Sequence, residues 1–247
     1  MKHRAAGAGC AALTLLIALQ SLAQSAGEPA PVVLPGDNAG HFRLGLRTGY
    51  GLPIGRYADV RTIATFRDQD VNALSADTYG VIPFWLDAGY WITPRLLLGA
   101  YFAFGIVLPK VAPASNPLSG GCPEGVDCDA IGLRAGIQAE YAFAPGAGIQ
   151  PWLALGLGYE WVDTTIVDRD IGLEVKSMHR GPELLQLSGG ADFRLSPHFG
   201  LGPFATFSAL QYSDCRFELS GTEQPCEIDD GAWHGWILLG VRGALAL

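Results

Sequence analysis

The chain has 247 residues, of which 49% are hydrophobic, only 16% are charged and 33 are glycine, proportions that are unusual for a soluble domain. Its formal net charge of −8 argues against a nucleic-acid partner, which would require a basic surface. Beyond the N-terminus no apolar run reaches the roughly 18 residues that a membrane helix needs, so a helical membrane protein is not predicted.

The N-terminus has the features of a secretory signal. Lys2 and Arg4 form a positively charged start, and an apolar stretch follows up to Leu22. The sequence "SLAQSA" then supplies small residues at a cleavage position. We predict a signal peptide over residues 1–23, followed by a periplasmic segment over residues 24–40. An uncleaved anchor is the alternative.

The remainder of the chain, residues 41–247, alternates apolar with small or polar side chains. In "AIGLRAGIQAEYAF", Ile131, Leu133 and Ile137 fall on one face, and Arg134 and Glu140 on the other. Successive side chains of a strand point to opposite faces, so this pattern predicts strands with one apolar face. In chain order the eight predicted strands are 41–52, 81–91, 95–108, 130–143, 151–162, 183–195, 199–212 and 232–247.

The connections between these strands alternate in length. Short turns with Pro or Gly follow the second, fourth and sixth strands, as "WITPR", "APGAG" and "LSPHF". Long polar loops follow the first, third, fifth and seventh strands, over residues 57–78, 109–129, 163–180 and 213–231. This layout is typical of a bacterial outer-membrane barrel, in which the turns and termini are periplasmic and the long loops extracellular.

The position of the charges separates a membrane barrel from soluble alternatives. The apolar face carries essentially no charge, whereas a soluble barrel with a lipid-binding interior would show the reverse. A secreted β-sandwich would carry Lys, Glu and Thr on its polar face, where this chain has mostly Gly and Ala. We therefore predict an all-β, eight-stranded antiparallel up-and-down transmembrane β-barrel. Aromatic residues near the strand ends match interfacial girdles: Tyr50, Tyr90, Tyr141, Phe143, Tyr159, Trp161, Phe193 and Trp233.

Four cysteines remain once Cys10 leaves with the signal peptide. An even number in an exported chain suggests disulfides, and four cysteines allow three connectivities. The spacing favours two local pairs, Cys122 with Cys128 and Cys215 with Cys226, both in long loops. A metal site is disfavoured because no CxxC or nearby His completes a ligand set, and no cofactor is predicted.

The chain resembles the small eight-stranded outer-membrane proteins, the group that includes the OmpA transmembrane domain, OmpX and OmpW. The resemblance covers nearly all of the mature chain and rests on topology. "GYWITPRLLLGAY" looks like the Tyr–x–x–Thr–Pro turn of that group, and "WILLGVRGALAL" is similar to the strand read by the barrel-insertion machinery. That signal usually ends in an aromatic residue, whereas here it ends in Leu247. The resemblance implies a monomer in contact with outer-membrane lipid and lipopolysaccharide.

The inward face carries nearly balanced charges. An unpaired charge in a closed lumen is costly, so we expect these residues to form ion pairs that plug the lumen and prevent a wide pore. The alternative is that they line a pathway for ions. The residues of this predicted network are Arg43, Arg47, Asp87, Arg134, Glu140, Glu160, Asp192, Arg194 and Arg242. Those placed toward the short-turn end are Arg43, Asp87, Glu140, Asp192, Arg194 and Arg242.

Aromatic side chains are predicted to point inward nearer the long loops. They could line a pocket for a small apolar ligand, as in OmpW-like members, or simply pack as a core. These residues are Trp85, Tyr101, Phe204, Tyr212 and Trp236.

An enzyme is not predicted. Two families of small barrels act on lipid A, but the candidate residues here do not join into a recognisable Ser, His and acid set. The candidates considered are His179, His198, His234, Ser177, Ser188 and Ser208.

The long loops are acidic, which is compatible with solvation, divalent cations or a surface partner, although "EIDD" lacks calcium-loop spacing. Their acidic residues are Asp59, Asp68, Asp70, Asp77, Asp163, Asp168, Asp170, Glu174, Glu218, Glu223, Glu227, Asp229 and Asp230. The sequence thus predicts a small barrel with a structural role or limited passage or binding of small apolar solutes. The alternative is a surface adhesion or interaction protein that acts through its loops.

Overall fold

A computed structural model describes most of the chain beyond its N-terminal region. The predicted signal peptide and nearly all of the 24–40 segment lie outside the described residues. The described residues are 38–56, 74–112, 122–123, 125–170, 172–226, 228 and 233–247.

The described part of the chain is almost entirely β-structure, with one short helix. Its elements are β1 (Phe42–Gly55), α1 (Leu74–Asp77), β2 (Thr78–Trp91), β3 (Leu96–Pro109), β4 (Val111–Ala112), β5 (Cys122–Pro123), β6 (Asp127–Ala142), β7 (Ile149–Asp168), β8 (Leu173–Arg194), β9 (Phe199–Gln211), β10 (Asp214–Leu219), β11 (Thr222–Gln224) and β12 (Trp233–Ala246). None of the described helices has the length and hydrophobicity needed to span a bilayer.

Eight long antiparallel strands close into a barrel in the order β1–β2–β3–β6–β7–β8–β9–β12, and β12 returns to pair with β1. The eight strands are those predicted from the alternation, with small shifts in most of their ends and long extensions of β7 and β8 at the long-loop end. The register places Arg47 of β1 opposite Trp85 of β2 on one side and Arg242 of β12 on the other. These three side chains therefore project to the same face, into the lumen.

The alternation of the sequence becomes an alternation of burial. Ile137 is 67% exposed on the outside of β6, while its neighbour Gln138 is 4% exposed in the lumen. Aromatic pairs mark both ends of the apolar outer face: Phe42 with Tyr90 at the short-turn end, and Tyr159 with Trp161 at the other. An apolar outer band between aromatic girdles is the surface of a transmembrane barrel.

Two of the short turns share one local device. Thr93 Oγ1 accepts a hydrogen bond from the backbone N–H of Leu96 at 2.9 Å, and Ser196 Oγ accepts one from that of Phe199 at 3.0 Å. In each turn a proline follows the hydroxyl residue and restricts φ, which favours a tight reversal. These turns fix the register at the short-turn end.

The opposite end differs from the prediction, because two of the predicted polar loops contain strand residues. The 163–180 loop is mostly a continuation of β7 and β8. The 213–231 loop contains β10, which pairs with β8, and β11, which pairs with β10. These outer parts form a sheet that we call the outer extension: residues 163–168 and 173–180 with β10 and β11. The prediction of loops was wrong here because Thr, Val and Ile are interspersed with charged residues in these segments, which hides the strand pattern. The pairing of β10 with β8 is also non-local.

The other two predicted loops are only partly described. Residues 57–73 and 113–121 lie outside the described residues, while Leu74 of α1 packs against the lumen core near Val81 and Trp85. Both predicted disulfides are present, joining Cys122 to Cys128 and Cys215 to Cys226.

A charged and aromatic lumen as candidate functional site

The buried polar residues of the lumen fall into three clusters along the barrel axis. The lower cluster lies near the short-turn end and consists of Arg43, Glu140, Asp192 and Arg242. Both arginines donate to Glu140: Arg43 Nη2 lies 2.7 Å from Oε2, and Arg242 Nη1 lies 2.6 Å from the same oxygen. Arg242 also pairs with Asp192 and stacks on Trp152, with Cζ 3.6 Å from the ring centroid. Two cations thus neutralise two anions in a closed set.

The middle cluster is built around one ion pair. Arg47 donates from Nε to Asp87 Oδ2 at 2.6 Å and from Nη2 to Asp87 Oδ1 at 2.5 Å, a bidentate geometry. Gln138 bridges the pair, because it accepts from Arg47 Nη2 and donates to Asp87 Oδ1, both at 2.9 Å. Ser188 and Thr206 complete the cluster with a mutual hydrogen bond at 2.8 Å.

The upper cluster lies nearest the long loops. Arg134 Nε donates to Glu160 Oε1 at 2.7 Å, and His234 Nε2 lies 2.7 Å from Glu160 Oε2. Glu183 accepts a hydrogen bond from Tyr101 at 2.5 Å and lies 3.7 Å from Arg134 Nη1. All five side chains are buried, so the cluster closes the lumen at this height.

Glu183 was missed in the sequence, and a β-bulge is the reason. Leu184 and Leu185 both point outward, and the register shifts between Glu183 and Leu185 on one side of β8 and between Gly156 and Gly158 on the other. Strict alternation from Gln186 would have turned Glu183 toward lipid. The bulge instead brings its carboxylate into the lumen.

Two members of the predicted plug lie elsewhere than expected. Asp87 belongs to the middle cluster with Arg47, not to the set at the short-turn end. Arg194 is half-exposed at the short-turn opening, and the described residues give its side chain no ion pair. The other predicted members lie in the three clusters.

The five aromatic residues proposed to line a pocket are buried and packed in the lumen: Trp85, Tyr101, Phe204, Tyr212 and Trp236. The rings of Trp85 and Phe204 are stacked, with centroids 6.4 Å apart. The Arg47 guanidinium lies over both rings. The cavity beside Trp85 and Trp236 measures about 20 Å³, which is room for one water molecule. Among the described residues these aromatic side chains pack in the lumen, and the space left beside Trp85 and Trp236 is small.

Several of the candidate serines and histidines have other hydrogen-bond partners in the described chain. Ser208 accepts a hydrogen bond from Arg134 at 3.3 Å, while His234 is directed at Glu160, and no hydrogen bond joins Ser208 to His234 in the described chain. Ser188 is buried in the middle cluster, and His198 lies in a short turn. Ser177 and His179 lie in the outer part of β8.

Two acidic residues of the outer extension form local ion pairs. Glu174 lies 3.0 Å from Lys176, and Glu223 lies 3.6 Å from Arg216. Within the described ranges no three His, Cys, Asp or Glu residues come together as a metal site. Several acidic loop residues fall outside the described residues: Asp59, Asp68, Asp70, Glu227, Asp229 and Asp230.

An apolar outer band, a closed ring of eight strands and a charge-paired lumen define the class: the protein is a small transmembrane β-barrel of the bacterial outer-membrane type.

No family model and no curated protein matches the chain. Solved structures similar to it include OprG from Pseudomonas aeruginosa, with a TM-score of 0.47, 15% identity, and coverage of 84% of this chain and 97% of that chain. A major outer membrane protein from Thermus thermophilus has a TM-score of 0.49 and 12% identity, and the match covers 84% of this chain and 100% of that chain. Ail, the attachment invasion locus protein of Yersinia pestis, has a TM-score of 0.41 and 12% identity, and the match covers 84% of this chain and 99% of that chain. At these identities the similarity concerns the fold alone.

Proposed function

We propose that the protein is a non-conducting outer-membrane barrel with a structural role, which holds its outer extension at the cell surface. The observation that carries this proposal is the lumen, in which three clusters of buried, mutually bonded side chains follow one another along the axis. An eight-stranded barrel has an interior just wide enough for its side chains, and here they fill it. Passage of small apolar solutes finds no support in a cavity of about 20 Å³.

Conductance in planar lipid bilayers tests the proposal directly. Purified protein is expected to insert without stable current steps in salt solution, because moving an ion past the clusters would require breaking buried ion pairs. Regular openings from heat-modifiable, folded protein would contradict it. A variant in which Arg47 and Trp85 are both replaced by alanine is the comparison, since it widens the middle of the lumen without touching the outer extension.

A second candidate function, surface interaction, is favoured by the outer extension. Its register separates an apolar side, with Ile166, Val175 and Leu219, from a charged side. The charged side carries exposed ion pairs such as Lys176 with Glu174. A structured, two-sided sheet at the end of a rigid barrel offers a defined binding surface, unlike a solvated loop.

Removal of the extension separates the two functions. Residues 164–177 would be replaced by an Asn-Gly turn, which preserves the pairing of Asp163 with Met178, and residues 214–231 by a short turn. If the protein acts through this surface, binding of whole cells to host or neighbouring cells is lost while outer-membrane integrity is kept. Loss of integrity with unchanged binding would favour the structural role alone.

The remaining features of the proposal concern location and assembly. We propose that the protein is a monomer in contact with outer-membrane lipid and lipopolysaccharide, with long loops outside and termini in the periplasm. We propose further that the barrel-insertion machinery reads β12. The apolar outer positions of this strand, among them Ile237, Leu239 and Val241, support that assignment.

A further inference from the structure

The short-turn end of the lumen is open below the lower cluster. A cavity of about 70 Å³ lies there, between the end of β8, the 195–198 turn and the end of β12. Its lining includes Arg43, Gln150, Arg194, His198, Gly200 and Ala246, and also the Asp192 carboxylate of the lower cluster. It has room for several water molecules or one small ion with water.

The charges around this cavity do not cancel. The lower cluster above it is neutral, because Arg43 and Arg242 face Glu140 and Asp192. Asp192 already accepts hydrogen bonds from Arg242 and, at 3.3 Å, from Trp152 Nε1. Arg194 therefore adds a positive charge that the described residues do not neutralise.

The chemical groups at the opening match an oxyanion. The Arg194 guanidinium offers a planar set of N–H donors that fits carboxylate and phosphate oxygens. His198 and Gln150 line the same cavity, and their side chains are able to donate hydrogen bonds as well. The walls of Gly200 and Ala246 are small, which leaves the space open.

We propose that this opening is a binding site for one small oxyanion, a carboxylate or phosphate group, held by Arg194 with His198. The group could belong to a free anion in solution or to the headgroup of an anionic lipid. The site is independent of the structural role proposed above, since it requires only the barrel.

The test uses isotope-labelled protein in lipid-free octyl glucoside micelles, titrated with inorganic phosphate and, separately, with acetate. Saturable shifts of the backbone amides of Gln150, Arg194 and His198 are expected. In Arg194→Gln the affinity should fall at least about tenfold, the loss that accompanies removal of one charge-assisted hydrogen bond. Ala246→Leu should also weaken binding, because its side chain fills the cavity.

The control is Arg95→Gln. Arg95 is in another short turn at the same end, but it is exposed and reaches Tyr141 on the outside of the barrel. Its loss should leave the titration unchanged. Each variant is first checked for folding by its heat-dependent mobility in SDS. An unaltered response in folded Arg194→Gln, equal weakening in Arg95→Gln, or no saturable shift in the wild type would overturn the proposal.

A second arm identifies the source of the anion. Phosphate titrations are repeated in phosphatidylcholine nanodiscs with and without phosphatidylglycerol. If a lipid headgroup occupies the site, phosphatidylglycerol will weaken phosphate binding in the wild type and will shift the same amides before any phosphate is added. If the ligand is a free anion, the two titrations will coincide. Both results support an oxyanion site and differ only in its occupant.

Discussion

Arg43 and Glu140 are 97 residues apart in sequence and form a bidentate ion pair in the lumen. Glu140 also forms an ion pair with Arg242. One carboxylate thus holds two arginines from β1 and β12, the two strands that close the barrel. Glu140 itself comes from β6, on another part of the ring. The lower cluster therefore ties distant strands together across the interior.

Substitution Glu140→Gln is expected to destabilise the barrel by about 3–5 kcal/mol, because it leaves two buried arginines short of one negative charge. Two measurements report stability: urea unfolding in detergent, and the temperature at which the SDS gel mobility of the protein changes. The matched control is Glu174→Gln, which removes an exposed ion pair with Lys176 in the outer extension and should cost at most about 1 kcal/mol. Equal stability of wild type and Glu140→Gln would contradict a stabilising plug.

The bulge in β8 predicts an unusual tolerance to deletion. Deleting Leu184 removes the extra residue and restores regular alternation, with Glu183 still in the lumen, so the protein should fold. Deleting Leu155 from the regular part of β7 should prevent folding, because every residue on one side of the deletion changes face. Heat-modifiable mobility in SDS reports both results. A Leu184 deletion that behaves like the Leu155 deletion would show that the bulge is required.

Glycine at position 202 allows close backbone approach between β9 and β8. A Cβ at this position would lie 1.7 Å from the carbonyl oxygen of Ala191, a contact that requires the strands to separate. Gly202→Ala should therefore lose several kcal/mol of stability or fail to fold. Gly189→Ala is the control, since its Cβ would meet atoms at 3.4 Å, an ordinary contact. Urea unfolding of the two variants should differ clearly; similar midpoints would argue against the steric explanation.

The disulfides are expected to stabilise the outer region and to leave the membrane-spanning barrel unaffected. Replacement of Cys215 and Cys226 by serine should leave the SDS mobility shift unchanged, because both residues lie outside the closed ring of strands. The same variant should be cut faster by protease in the outer extension, since release of the loop increases its freedom to unfold locally. Mass mapping of the fragments gives the site of cleavage. Loss of the mobility shift would show that the disulfide is needed for the barrel itself.

The sequence alone determined the number of barrel strands, the approximate limits of most of them, and which side of each faces outward. These features are local: the period of two is a property of the extended backbone, and Ile137 and Gln138 reveal their faces through their neighbours. The alternation of short turns and long loops, with "WITPR" and "LSPHF" at one end, was equally readable. The identity of most inward charges followed from the same pattern.

Only the tertiary structure decided which charges meet and where the alternation breaks. Ion pairs such as Arg43 with Glu140 depend on how strands are staggered around the ring, and no local pattern encodes that stagger. The bulge that brings Glu183 into the lumen, the pairing of β10 with β8 and of β11 with β10, and the position of Arg194 at the short-turn opening have the same origin. Each is set by contacts between residues far apart in the chain, whose energies act only once the barrel has closed.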